Sequence, residues 1–271
     1  MTTRTRGRGA DGLVELTRLL SPRDTTILEA LARHRFLTTQ QIERLAFADH
    51  TSPLAGARAC RRVLRRLDDS GLTVRLARRV GGFGAGSATS VWHLAPAGMR
   101  ALSFLSGDGS ATRVREPSAR FVAHALAVAE VHVRLIEAAR TGRFELTSVQ
   151  IEQEGWRSYQ AVSGRAEQLK PDLAVVTATT EFEDHWFIEV DLGTEHLPTI
   201  LQKCQQYQTY RRTGTEQGET NLFPVVIWLA LRRARAEKLL RVIMTARGLD
   251  QALFRISCLD DLIGLITGGA A

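Results

Sequence analysis

The sequence predicts a chain of the α+β class with two domains, a basic helical one followed by an acidic α/β one. Its 271 residues are enough for one or two domains. Residues 1–120 hold 20 arginines and 10 acidic residues, whereas residues 121–271 hold 16 basic and 19 acidic ones, so the net charges are +10 and −3. Apolar residues recur at helical spacing in the first half and in strand-like runs between helical segments in the second. A basic module joined to an acidic one is typical of proteins that bind nucleic acid.

Composition excludes several protein classes. No apolar run approaches the roughly 18 residues that cross a bilayer, so we expect no membrane association. The N-terminal sequence MTTRTRGRGADG is basic but lacks the apolar core of a secretory signal. Cys60, Cys204 and Cys258 lie far apart, which argues against a disulfide framework and a cysteine zinc site. These features lead us to expect a cytoplasmic protein.

Three helices and a hairpin are predicted in the basic half. Ser21-Pro22-Arg23-Asp24 is a helix start with a serine cap, and Thr38 opens a second, short helix. A third helix is predicted from Leu54 to Ser70, and Gly71 ends it. Two alternating runs, 73–78 and 90–94, flank a glycine-rich tip and predict a β-hairpin, which a helix over 95–106 follows. This order is that of a winged helix-turn-helix domain, whose third helix enters the major groove of DNA.

Arginines cover the third helix and the hairpin beside its tip. The planar guanidinium group suits both guanine edges and phosphate oxygens, so we predict double-stranded DNA as the partner. The candidate DNA-binding residues are Arg58, Arg61, Arg62, Arg65, Arg66, Arg75, Arg78 and Arg79. Two alternatives stay open: the arginines solvate a helix face, or the domain binds a protein.

A mixed α/β core is predicted for the acidic half. We expect a basic flexible N-terminus over 1–19, the winged helix over 20–106, a linker over 107–116 and the α/β domain over 117–271. The predicted order in this domain is a long helix, three strands, a helix, a strand, a helix and a strand, with the helices packed against a sheet. The second and third strands, 169–176 and 185–192, are expected to form a hairpin.

Three carboxylates are expected to converge on this sheet. Alternation places Glu189 and Asp191 on one face of their strand and Trp186 and Ile188 on the other, which we expect to be the core face. Asp172, at the start of the partner strand, can reach the same region. Converging carboxylates need a cation or a proton between them, and an oxygen-only set favours Mg²⁺ or Mn²⁺. Such an ion can activate water for phosphodiester hydrolysis.

These motifs resemble known families. Pro171-Asp172 with Glu189-Val190-Asp191 is similar to the signature of the PD-(D/E)-x-K nuclease superfamily. The segments KPDLAVV, FIEVDLGTE and LQKCQQYQTY, after an arginine-rich winged helix, resemble the replication-relaxation proteins of actinobacterial plasmids and mobile elements. The resemblance runs from about Leu20 to Leu229. It implies a winged helix fused to a restriction-endonuclease-like domain, with a role in plasmid or mobile-element replication or maintenance.

One position departs from the superfamily pattern. Its lysine would stand at position 191, where this chain has an aspartate. Some superfamily members carry that lysine on the following helix, where this chain has Lys203, and Lys170 lies two residues before Asp172. The candidate catalytic set is therefore Asp172, Glu189, Asp191, Lys203 and Lys170, and the candidate metal ligands are Asp172, Glu189 and Asp191.

The alternative to a metal-dependent nuclease is a non-catalytic regulator whose second domain serves dimerisation, as a homodimer, or partner binding. An unrelated α/β function also stays open. Tyr207 and Tyr210, on roughly the same helix face as Lys203, are expected to pack against the core. Glu130 is expected to be solvated, and His132 to be structural.

Overall fold

The computed structural model describes residues 10–76, 90–106, 117–161 and 164–268. The chain divides into two compact units, Met1–Val133 and Arg134–Ala271. The division falls inside helix α6, Ala119–Arg140, and the linker predicted over 107–116 lies outside the described residues. Helices and a mixed sheet together confirm the α+β class.

The first unit contains five helices before α6 and three short strands within its described part. They are α1 (Ala10–Arg18), α2 (Pro22–His34), β1 (Leu37–Thr38), α3 (Thr39–Ala46), α4 (Pro53–Asp69), β2 (Thr73–Arg75), β3 (Val91–Leu94) and α5 (Pro96–Ser106). The expectation of a flexible segment over 1–19 was wrong for residues 10–18, because α1 is helical and buries Leu16 and Thr17.

Local capping explains where these helices begin. The Ser21 side chain accepts a hydrogen bond from the Asp24 backbone N–H, and the Asp24 carboxylate accepts one from Ser21 N at 2.9 Å, which is a complete capping box. Thr38 and Gln41 form the equivalent box for α3, and Ser52 caps α4. The three predicted helices are therefore confirmed, together with the start signals at Ser21 and Thr38, whereas the Ser52 cap was not predicted.

The small sheet of this unit has the order β1-β3-β2, with both pairs antiparallel. Arg75 of β2 is paired with Trp92 of β3, so the two predicted hairpin strands do pair. The glycine-rich tip at 81–86 lies outside the described residues. Helices and sheet share one apolar core, which includes Ile27, Leu31 and Leu64.

The second unit, with the remainder of α6, is built on a five-stranded sheet. Its elements are β4 (Glu145–Ile151), a 3₁₀ turn (Glu152–Gly155), β5 (Arg157–Gln160), β6 (Ala166–Leu169), β7 (Leu173–Ala178), β8 (Glu183–Asp191), α7 (Leu197–Thr213), α8 (Thr215–Thr220), β9 (Val225–Ala230), α9 (Arg233–Met244), β10 (Phe254–Cys258) and α10 (Leu262–Thr267), with 3₁₀ turns before and after β10.

The strand order is β10-β9-β8-β7-β4. The β7–β8 hairpin is antiparallel, as predicted, and β8, β9 and β10 run parallel to one another. The strand expected over 169–176 is interrupted: Leu169 ends β6, which pairs with β5 in a separate hairpin, and β7 begins at Leu173. Pro171 stands in the gap, and a proline has no N–H for a ladder.

Both faces of β8 are buried, so the expectation of one core face was incomplete. Trp186 and Ile188 are buried on one face, but Phe187 and Glu189 are equally buried on the other. Phe187 belongs to a cluster with residues of α7 and α9, including Tyr207 and Leu239. Helices therefore cover the face that carries the predicted carboxylates.

Candidate functional site

Strand register brings Asp172 and Glu189 together. Leu173 is paired with Ile188, so the preceding Asp172 lies across from Glu189 and on the same side of the sheet. The Asp172 carboxylate accepts a hydrogen bond from the Val190 backbone N–H at 2.8 Å. The predicted pairing of these two acids on one face is therefore observed.

Glu189 is the centre of a cluster that also contains Lys203 and Tyr207 of α7. Lys203 Nζ donates to Glu189 Oε2 at 2.5 Å, and the Tyr207 hydroxyl donates to Oε1 at 2.5 Å. The two donors lie four residues apart and therefore on one helix face. Each oxygen of a carboxylate that is only 2% exposed thus has a protein partner.

Burial and charge act in opposite directions in this cluster. Burial raises the pKa of Glu189 to about 7, although the Lys203 ammonium group opposes this and the nearby Asp172 charge adds to it. Burial by itself would lower the pKa of Lys203, but the charges of Glu189 and Asp172 outweigh it and leave that pKa above its ordinary value. Burial also raises the pKa of Tyr207, with the Glu189 charge as a further cause, so its hydroxyl keeps its proton and donates.

Asp191 has hydrogen-bond partners other than those of the Glu189 cluster. Arg235 Nε donates to its Oδ2 at 2.5 Å, and the Gly193 backbone N–H donates to its Oδ1 at 2.9 Å. Arg235 also donates to the Glu195 carbonyl at 2.8 Å. At the position of the superfamily lysine, this chain therefore has a buried aspartate that is neutralised by an arginine of α9.

Lys170 contacts an aromatic ring. Its Nζ is 4.4 Å from the centre of the Trp156 ring, a cation–π contact, and the residue is exposed. The contact observed for Lys170 is thus with Trp156, and its role in the site stays a prediction. The turn at Pro171 separates the strand that ends at Leu169 from the strand that carries the hairpin.

One other expectation about an individual residue was wrong. Glu130 is buried, because its carboxylate accepts from Arg44 at 2.8 Å and from Gln41 at 3.2 Å. Tyr207 packs into the core, as predicted, and its hydroxyl also donates to the Glu189 carboxylate. Its position four residues after Lys203 was a signal for that role. Arg235 has no such local signal, because it is 44 residues from Asp191.

The histidine, cysteine and acidic side chains of the described residues form no metal-binding arrangement. No group of three or more of them is arranged to hold an ion in this part of the chain. The three predicted ligands, Asp172, Glu189 and Asp191, are held instead by cationic, hydroxyl and backbone donors.

The predicted DNA-binding arginines divide into three groups. Arg58, Arg61, Arg62 and Arg65 are exposed on α4, and none forms an ion pair with a described residue. Arg75, on β2, is exposed as well. Arg66 differs, because its Nη2 donates at 2.5 Å to Asp24, which is 1% exposed. Arg78 and Arg79 lie outside the described residues.

No helix in the described ranges combines the length and the apolar content that crossing a membrane requires. Comparison with protein families finds a match to the family described as replication-relaxation over residues 28–226. No curated protein and no solved structure matches the chain.

Proposed function

The chain belongs to the replication-relaxation family, and from this premise we propose that it binds double-stranded DNA during plasmid or mobile-element replication or maintenance. In this proposal the first unit is a winged helix-turn-helix domain. The order α2, α3, α4 and the small sheet β1-β3-β2 support it. α4 would then lie in the major groove, with β2 and β3 against the backbone.

The arginine face of α4 is the observation that carries the proposal. Arg58, Arg61, Arg62 and Arg65 follow one another at intervals of three, one and three residues, so they lie on one side of the helix. The opposite side, which includes Leu64, packs into the core. Four cations without an ion-pair partner among the described residues repel one another, and a polyanion relieves that repulsion.

Salt-dependent DNA binding tests the proposal. We expect wild type to bind duplex DNA with an affinity that falls steeply with salt, and each of Arg61→Ala and Arg65→Ala to reduce the slope of log K against log salt by about 0.9. Arg100→Ala, which removes an exposed arginine on α5, is the matched control and should leave the slope unchanged. Equal slopes in all four proteins would refute the assignment of α4.

A second candidate function, phosphodiester cleavage, is favoured by the position of Lys203. The chain lacks the superfamily lysine on β8, but Lys203 reaches the Glu189 carboxylate from α7 and interacts with the charge of Asp172. In this proposal the second unit is a PD-(D/E)-x-K-like domain, with Asp172, Glu189 and Lys203 as its reacting centre.

The predicted Mg²⁺ or Mn²⁺ ion does not fit the contacts as they stand. Both oxygens of Glu189 accept bonds from Lys203 and Tyr207, and both oxygens of Asp191 accept bonds from Arg235 and Gly193. An oxygen ligand set for these ions needs carboxylate oxygens that other cations do not occupy. DNA binding without cleavage is therefore the function that the geometry supports better.

Nicking of supercoiled plasmid in Mg²⁺ or Mn²⁺ separates the two candidates. Cleavage by wild type that is lost in Asp172→Ala and Glu189→Ala would establish the second candidate. No cleavage, or equal cleavage by all three proteins, would eliminate it. Thermal unfolding adds a readout that does not depend on cleavage: a metal-binding centre raises the Tm in Mn²⁺, and Asp172→Ala abolishes that rise.

A further inference from the structure

An exposed leucine lies at the N-terminal end of the arginine face of α4. Leu54 lies in the first turn of this helix, and its side chain is 58% exposed. Counted from Leu54, the four arginines follow at positions +4, +7, +8 and +11. The stripe on this side of the helix thus begins with one large apolar side chain and continues with four arginines, before Asp68 and Asp69 in the last turn.

The orientation of the stripe is fixed by the packing of α4. Ser52 caps the helix and Pro53 occupies its first position, so Leu54 belongs to a well-defined first turn. Cys60 and Leu64, on the opposite side, are fully buried in the core. Leu54 is consequently held outward, on the side of the arginines.

The charge of the α4 surface limits which kind of partner can bind over Leu54. Its nearest surface neighbours along α4 are four arginines without an ion pair to the described residues, and the acids Asp68 and Asp69 stand only in the last turn, so a negatively charged partner is favoured beside Leu54. Duplex DNA is such a partner, and its major groove offers one apolar group, the C5 methyl of thymine. The first turn of a recognition helix is the part that contacts base edges.

We propose that Leu54 is a specificity-determining residue that contacts a thymine methyl group in the major groove. This inference rests on the proposed binding of DNA by α4. The arginines supply affinity through phosphates or guanines, whereas Leu54 supplies discrimination at one base pair. Covering one methyl group contributes about 0.8 kcal/mol, which corresponds to about a fourfold preference for thymine over uracil.

Replacement of thymine by deoxyuridine tests the contact, because it removes the methyl group alone. A duplex is first selected from a random library by binding to the wild-type protein. Each thymine of the selected duplex is then replaced, one at a time, by deoxyuridine. We expect one replacement to weaken wild-type binding about fourfold. Leu54→Ala should bind the thymine and uracil duplexes equally. Leu240→Ala, which truncates a 47% exposed leucine on α9, should keep the wild-type preference.

The outcomes separate this inference from the proposed function. If Arg61→Ala and Arg65→Ala bind DNA as tightly as wild type, the DNA-binding function of α4 fails. If those variants bind weakly but Leu54→Ala keeps the thymine preference, only the role of Leu54 is refuted. A wild type that shows no preference at any replaced thymine refutes it too. Leu54 is exposed and alanine favours helices, so Leu54→Ala should fold, which circular dichroism checks.

Discussion

Replacing Lys203 by methionine should destabilise the second unit strongly. Glu189 is 2% exposed and Lys203 27% exposed, so the substitution leaves Glu189 buried with the Tyr207 hydroxyl as its remaining partner, and it must then hold an unpaired charge or take up a proton. Breaking one side of a buried ion pair costs roughly 3–5 kcal/mol, and we expect the lower end because Lys203 is partly solvated. Glu189→Gln should relieve most of this cost in the double variant, so the coupling energy should reach about 2 kcal/mol.

Urea denaturation followed by tryptophan fluorescence can measure the effect in one unit. Three of the four tryptophans, Trp156, Trp186 and Trp228, lie in the second unit, so a Trp92→Phe background reports that unit alone. Lys238→Met, an exposed lysine on α9, is the matched control and should change stability by less than about 0.5 kcal/mol. A Lys203→Met variant as stable as that control, or strictly additive effects in the double variant, would refute the reasoning.

The packing around Asp191, His34 and Gly98 can be tested in the same way. Arg235→Ala should destabilise the second unit by roughly 3 kcal/mol, because it removes the cation that neutralises the buried Asp191. Burial lowers the pKa of His34 to about 3 from 6.5, so the unfolded chain takes up the proton first and stability should fall by about 2 kcal/mol from pH 6.5 to pH 5. Gly98→Ala should cost roughly 1–3 kcal/mol, since its Cβ would lie 2.1 Å from the Leu72 carbonyl oxygen.

A matched control variant accompanies each of these three predictions, and denaturation measures the free energy of unfolding of both. Arg233→Ala breaks an ion pair between two exposed side chains and should cost less than about 1 kcal/mol. His34→Gln should have a shallower loss of stability between pH 6.5 and pH 5, and an unchanged slope would contradict the assignment. Gly264→Ala, in a helix with nothing near the added carbon, should be neutral or stabilising. If it costs as much as Gly98→Ala, the clash is not the cause.

Local signals predicted a large part of this structure. The capping residues Ser21 and Thr38 located two helix starts, and the alternation of β8 placed Glu189 on the face opposite Trp186. Lys203 was predicted for the site from the helix that follows the strand, and it does contact Glu189. Each of these inferences depends on spacing within one element or between neighbouring ones.

What the sequence did not predict depends on contacts between distant segments. Arg235 neutralises Asp191 from a helix 44 residues away, and nothing near either residue indicates this. The burial of Glu189 follows from α7 lying over its face of the sheet, which alternation alone cannot reveal. Lys170 is close to Asp172 in sequence, but the chain turns at Pro171 between them, and the contact observed for Lys170 is with Trp156.

The ion pair between Arg66 and Asp24 has a consequence for mutational scans of the basic helix. Asp24 belongs to the N-terminal cap of α2, so this single carboxylate ties the start of one helix to the end of another. Alanine at position 66 would leave the buried Asp24 charge with only its hydrogen bonds from Ser21 and weaken the contact between the two helices. A loss of DNA affinity in Arg66→Ala would therefore reflect a loss of stability. The other four exposed arginines of α4 can be replaced without that effect.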